Sequence, residues 1–246
     1  MTSPAKFAAF AEAITVARRK GVRIELPATG TPQNLEDAFA AQDLTVAALA
    51  SPPIGWKVIE LPDGEVIFAP LLASGIVPAG GTWKVAGGAP AGIELEIAFQ
   101  MGADVTAGAS AAQILDAITS AHVVYELCQS RFVDPDQLAQ HIKLADCILN
   151  AGLVVGPKIE GWRTRDLKNI PGRLLVDGKV HKEGKSVDPI RAIQVLAPAM
   201  AKRGKKLAKG QTVITGSLIG MNWLTGKHQL KGVIDGCGEV AISLDA

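Results

Sequence analysis

Residues 92–99 read "GIELEIAF" and alternate without a break. Ile93, Leu95, Ile97 and Phe99 fall on one parity, and Glu94, Glu96 and Ala98 on the other. Period two predicts a strand. The same pattern, with Gly and Pro between segments, marks "IGWKVIEL", "GEVIFAPLL" and "GTWKVAGG" as short strands after Pro52-Pro53, and "QTVITGSLIG", "HQLKGVIDG" and "GEVAISL" as strands near the end. In "RLLVDGKVHKEG" the Asp177-Gly178 pair predicts a tight hairpin turn.

Helical patterning dominates residues 1–50. A first helix is predicted over 3–20, with Ser3 as cap, Pro4 at the first helical position and Gly21 as the stop. A second is predicted from Thr31 as cap, with Pro32 next and Asn34-Leu35-Glu36 in its first turn. "SAAQILDAITSAHVVYELC" is helix-like to about Ala121 and β-branched beyond it. "DPDQLAQHIKLADCILNAG" predicts a helix capped by Asp134, and "DPIRAIQVLAPAMAKRGKKL" another. Helices and strands neither alternate strictly nor segregate, so the expected class is α+β with a mixed sheet. An N-terminal helical segment (1–50) and a mixed-sheet part (51–246) are expected to form one structural unit.

Composition narrows the function classes. Lys plus Arg total 25 against 24 for Asp plus Glu, and aromatics make up 4%. Neither nucleic acid nor an anionic membrane surface is expected as the main partner. The densest basic run, "KRGKKLAK" at 202–209, reads as a solvated helix end or as a phosphate or partner contact. Cys128, Cys147 and Cys237 are far apart and lack CxxC spacing, which argues against a disulfide scaffold or structural zinc. His122, His141, His181 and His228 are equally scattered. No secretory signal or spanning helix is read, so a cytoplasmic location is expected.

The candidate chemistry starts from Glu94 and Glu96. Residues i and i+2 of a strand share a face, roughly 6.5 Å apart. Two carboxylates so placed face solvent, adjust their protons, or hold a cation between them. Glu126 sits among Val123, Val124 and Leu127 and needs a partner: Arg131, a backbone donor or a metal. Three converging carboxylates would suit Mg²⁺ or Mn²⁺. Lys57, mid-strand among Ile54, Trp56, Val58 and Ile59, either points to solvent or sits in a desolvated pocket with a lowered pKa, where it could move protons.

These elements, in this order, resemble the fumarylacetoacetate hydrolase superfamily. The closer likeness is to its branch of 2-keto-4-pentenoate (2-hydroxypenta-2,4-dienoate) hydratases and 4-oxalocrotonate decarboxylases. "TPQNLEDAFAAQ" resembles the branch's "edAyavQ", "GWKV" its "GyKvG", "GIELEIAFQMGADV" its "vEpEiAFvlg.dl", "VVYELCQSRF" its "pAiEivdsR", and "LADCILNAGLVVGP" its "vaDnasnagvvlG". "TVITGSLIG" and "GCGEVAISL" resemble the closing "vlTGs" and "glGsvsv" strands. The resemblance implies a sheet roll or barrel of that family's type. It implies Mg²⁺ or Mn²⁺ on Glu94, Glu96 and Glu126, and Lys57 as the proton-transfer residue. Thr215, Gly216, Ser217, Asp146 and Asn150 would lie at a small 2-oxo or 2-hydroxydienoic acid. It further implies a homo-oligomer, possible pairing with a sister subunit, and a hydratase of aromatic catabolism as the first expectation. A decarboxylase is the alternative, and a scaffold paralogue without chemistry a third. One departure stands out: the loop after Lys57 is short, and the stretch "APLLAS" lacks the acid thought to help activate water in the hydratases. Asp63 and Glu65 are the nearest substitutes.

Overall fold

The computed structural model describes residues 4–246, so the predicted cap Ser3 lies outside the described residues. Five α-helices and twelve strands run in the order α1 (Ala8–Lys20), α2 (Leu35–Leu49), β1 (Pro53–Glu60), β2 (Val66–Leu72), β3 (Thr82–Lys84), β4 (Ala91–Met101), α3 (Ala111–Asp116), β5 (Ile118–Cys128), α4 (Gln140–Ala145), β6 (Asn150–Lys158), β7 (Pro171–Val176), β8 (Lys179–Lys185), α5 (Pro189–Lys202), β9 (Thr212–Ile214), β10 (Asn222–Leu224), β11 (Lys227–Ile234) and β12 (Gly238–Asp245). The class is α+β, as expected.

The strands form two open sheets rather than a closed barrel. The seven-stranded sheet runs β2-β1-β9-β4-β5-β6, with β10 also on β4, and the five-stranded sheet runs β3-β12-β11-β7-β8. The apolar parity of β4 (Ile93, Leu95, Ile97, Phe99) and of β5 (Val123, Tyr125, Leu127) belongs to the main core, which also takes in Leu230, Val240 and Ile242 of the second sheet. The sheets approach so closely at Gly232 that a Cβ there would fall 2.6 Å from Leu95 and 2.9 Å from the Tyr125 hydroxyl. The opposite face of the large sheet carries Glu94 and Glu96. The first two helices join the same core: Phe10 stacks at 6.1 Å on Phe132, and Phe39 lies 5.0 Å from Phe68.

Several boundaries differ from the sequence reading, each for a physical reason. Helix α1 does end at Gly21, which is left-handed (φ 63°). Asn34, not Thr31, caps α2, accepting from the Asp37 N–H, while Thr31 donates to the Pro27 carbonyl. Helix α3 stops at Asp116 because Ile118 already pairs with Met101 of β4, so the β-branched run is strand from its start. The helix predicted from Asp134 breaks into a short turn (Pro135–Gln137) and α4. It cannot continue, since Cys147, Ile148 and Leu149 all take left-handed backbone (φ 52°, 50° and 62°). For non-glycine residues this costs roughly 1–2 kcal/mol each. The hairpin turn is as predicted, with Asp177 and Gly178 both at positive φ. The basic run is a solvated helix end: Lys205 pairs with Asp43, Lys206 with Asp104, and Arg203 with Glu36.

Candidate active site

Register alone brings the acids together. On β4 and β5 Glu94 lies directly opposite Glu126, and Glu96 opposite Val124. Lys57 of β1 pairs with Ile214 of β9, which pairs with Ala98 of β4, so Lys57 emerges on the face that carries Glu94 and Glu96. The same face bears a small apolar cluster of Leu71, Ala98, Val124, Leu153 and Ile214. The carboxylates therefore rise from a bed with little polarity, and the solvent-facing option for Glu96 is overturned: it is 2% exposed.

Around them the polar contacts are few and short. Lys57 Nζ donates to Glu126 Oε1 at 2.6 Å and to the Ile148 carbonyl at 3.1 Å, and lies 4.0 Å from Glu94 Oε2. The strained turn at 147–149 is what delivers that carbonyl. Asn150 Nδ2 donates to the same Glu126 oxygen at 2.9 Å. The Gly216 N–H donates to Glu96 Oε2 at 2.7 Å, from a glycine at φ 105° that a side chain would strain. Cys128, two residues past Glu126, offers its thiol to Glu94 Oε2 at 3.7 Å. Glu126 Oε2 is buried and has no hydrogen-bond partner among the described residues. A cavity of about 90 Å³ over the group is lined by Lys57, Glu94, Glu96, Ile214, Gly216 and Ser217, among others. It adjoins a cleft of about 370 Å³ bounded by Val187, Ala192 and Val195 at the start of α5, with Glu60 and Arg191 at its rim.

Burial governs the protonation. Loss of water pushes the Glu94 carboxyl up to about 7, further raised by Glu126 and opposed by Lys57. Burial lifts Glu96 well above its ordinary value, with Glu126 and Glu94 adding to the effect. For Lys57 burial favours the neutral amine, but the charges of Glu126 and Glu94 outweigh it and the pKa is raised. Neither option read from the sequence holds: Lys57 is 5% exposed rather than solvent-facing, and its pKa is raised rather than lowered. Cys128 is kept a thiol, its pKa raised first by burial and then by Glu126.

A pH dependence follows for the metal-free protein. Glu94 keeps a proton in the folded state up to about 7 that the unfolded chain releases near 4.5. Between these values the native state binds more protons, so stability falls as pH rises, by about 3 kcal/mol from this group. Urea unfolding in EDTA is expected to give a higher midpoint at pH 5 than at pH 7.5.

The donor set suits a hard dication. A buried carboxylate oxygen on Glu126 without a hydrogen-bond partner among the described residues, and two neighbouring carboxyls whose pKa values burial raises, mark a place short of positive charge. Ligand atoms of Glu94, Glu126 and Cys128 lie within 4.8 Å of one another. A protonated thiol is a poor partner for Mg²⁺ or Mn²⁺; Glu96, which is not in that group, lines the same cavity as Glu94 and is the further oxygen donor nearest to hand.

Of the residues singled out from sequence, the structure gathers Lys57, Glu94, Glu96, Glu126, Asn150, Gly216 and Ser217. Thr215 borders the outer cleft, but its hydroxyl is committed to the Ile97 carbonyl at 2.7 Å. Asp146 is not with them. It is fully buried and held by Arg131 and Arg18. Asp63 and Glu65 sit in the exposed β1–β2 turn, where Glu65 N bonds Asp63 Oδ1, and Ala73–Gly75 forms a short turn without an acid. Missed from sequence were Cys128, whose i+2 spacing from Glu126 could have flagged it, and the Ile148 carbonyl, which left no signal.

Comparison with known proteins gives the fold a context. No protein-family model and no curated protein matches the sequence. The fold is shared with solved structures that include 4-oxalocrotonate decarboxylase and fumarylpyruvate hydrolase. In particular, the chain superposes on 4-oxalocrotonate decarboxylase from Pseudomonas putida G7, complexed with magnesium and adipate, with a TM-score of 0.86, 19% identity and 99% of each chain covered. The same decarboxylase complexed with calcium and acetate gives 0.84 at 20% identity, again over 99% of each chain. Fumarylpyruvate hydrolase from Pseudomonas aeruginosa, in complex with Mn²⁺ and pyruvate, gives 0.57 at 17% identity, over 75% of this chain and 81% of that one. No helix among the described residues is long and apolar enough to cross a membrane.

Proposed function

We propose that the protein is a divalent-metal-dependent lyase of short 2-oxo acids, and within that class a decarboxylase of 2-oxo-3-enedioates. The observation that carries this is Lys57, ion-paired to Glu126 beside Glu94 and Glu96, with no further acid or base lining the cavity among the described residues. Glu94, Glu96 and Glu126 would hold Mg²⁺ or Mn²⁺, which when bound would act as a Lewis acid toward the substrate's 2-oxygen. The magnesium and manganese complexes of the structural neighbours support that choice of ion.

The chain's own residues do the rest. When the bond to the distal carboxylate breaks, its electron pair moves through the conjugated chain toward the 2-oxygen, and CO₂ departs. Lys57 Nζ carries a proton on the floor of the cavity and can give it to the 2-oxygen of the dienolate that CO₂ loss leaves, yielding the 2-hydroxydienoate, while its charge offsets the developing enolate. The adjoining cleft, bounded by Val187, Ala192 and Val195 with Glu60, Asp188 and Arg191, is where the distal end of the substrate would lie.

Hydration is the second reading, favoured by the chain's length and its full set of metal motifs. It asks for a base to take a proton from water. A protonated Lys57 cannot serve, Asp63 and Glu65 lie in an exposed turn, and residues 73–75 carry no acid. The test is incubation with Mg²⁺ and 2-oxohex-3-enedioate, measuring CO₂. Stoichiometric CO₂ with formation of the 2-hydroxydienoate supports decarboxylation. No CO₂ from the enedioate, with loss of dienol absorbance in a separate incubation with 2-hydroxypenta-2,4-dienoate, would give the hydratase reading instead.

A further inference from the structure

Behind Asn150 lies a second cavity, of about 360 Å³, lined by Arg18 and Arg19 from the last turn of α1, by Arg131 beyond β5, and by Ser74, Gln129 and Asn150. Its charge is unbalanced. No acid lines it, and the acid bound to its arginines is Asp146, buried behind them. Arg131 Nε meets both Asp146 oxygens at 2.7 Å, and Arg18 Nε meets one at 3.3 Å. The Nη2 groups of both arginines donate to the Asp146 carbonyl at 3.0 Å. One carboxylate between two guanidiniums leaves a net positive charge, and Arg19, tied only to the Ala48 carbonyl, adds another. Neither Arg18 nor Arg131 makes a hydrogen bond through Nη1 among the described residues.

This arrangement costs the fold free energy unless an anion balances it. Arg131 is buried, and its pKa is lowered, first by burial and then by the charge of Arg18. The carbonyl end of α1 contributes only about half a negative charge. Ser74 and Gln129 add neutral polar groups at the wall. Guanidinium forks match the paired oxygens of carboxylates and phosphates, and bind them most strongly where water is scarce.

We propose that this cavity binds a small oxyanion, a carboxylate or phosphate held between Arg18, Arg19 and Arg131. The site is separate from the three-carboxylate cluster but touches it through one residue. Arg131 Nη2 donates to the Asn150 carbonyl at 3.4 Å, and the Asn150 side chain holds Glu126. An anion that draws on the Arg131 fork therefore shifts the residue that positions Glu126, which makes the cavity a place from which the cluster can be tuned.

The test is thermal unfolding of the full chain in EDTA, titrated with inorganic phosphate, with succinate, and with NaCl at matched ionic strength. The expected result is a saturable rise in melting temperature with phosphate, succinate or both, beyond that with NaCl. The anion that acts identifies the source. Arg19→Gln, at an exposed residue, should weaken the apparent affinity roughly tenfold. The titration is done without metal, so that failure of the metal reading does not count as failure here. Shifts equal to those in NaCl, or an affinity untouched by Arg19→Gln, would overturn the proposal.

Discussion

Lys57→Met is expected to lower turnover by about 10²–10⁴-fold, the range for loss of a positioned proton-transfer group. It should also destabilise the metal-free protein by about 3–5 kcal/mol, because Glu126 would remain buried with no cation beside it. The two effects arise from one pair but respond differently to metal. A divalent ion supplies the missing positive charge and so should return part of the lost stability. It cannot supply the proton, so turnover stays low. Urea unfolding with and without Mg²⁺, read beside the rate, separates the roles. A variant that keeps full activity would remove Lys57 from the chemistry.

Glu126→Gln carries the second large effect. In the wild type, Mg²⁺ or Mn²⁺ at 100 times its Kd should stabilise the fold by about 2.7 kcal/mol, if the unfolded chain does not bind it. The substitution should abolish that increment. It also removes the charge 2.6 Å from Lys57, leaving Glu94 at 4.0 Å as the nearest counterion. Loss of one partner of a buried pair costs about 3–5 kcal/mol. Glu94 will take up part of that loss by giving up its proton, so the lower end of the range is expected. Melting curves of wild type and variant, each with and without Mn²⁺, measure both quantities.

How much of this could be read from residues alone depends on which interaction decides each feature. The parity of "GIELEIAF" exposed the Glu94–Glu96 pair because strand periodicity is local. Glu126 stood out because a lone acid in an apolar run needs a partner. What put it opposite Glu94 was the β4–β5 register, a long-range fact. The same pairing overrode the helical pattern ahead of His122, where Ile118 meets Met101. Asp146 and Asn150 looked like equals four residues apart. The left-handed turn between them turns one toward the arginines and the other toward Glu126. The state of Lys57 was out of reach, since it depends on the charges of two other strands rather than on its own. Sheet closure was equally hidden, because strand patterns do not say whether edges meet.

The central claim is that Glu94, Glu96 and Glu126 together hold one hard dication. Electron paramagnetic resonance of Mn²⁺ titrated into wild type, Glu96→Gln and Glu126→Gln tests it most directly. One bound ion per wild-type chain, tighter at pH 8 than at pH 6, and none in either variant at the same concentrations is the predicted result. Free Mn²⁺ throughout the wild-type titration, or equal binding in all three proteins, would contradict it.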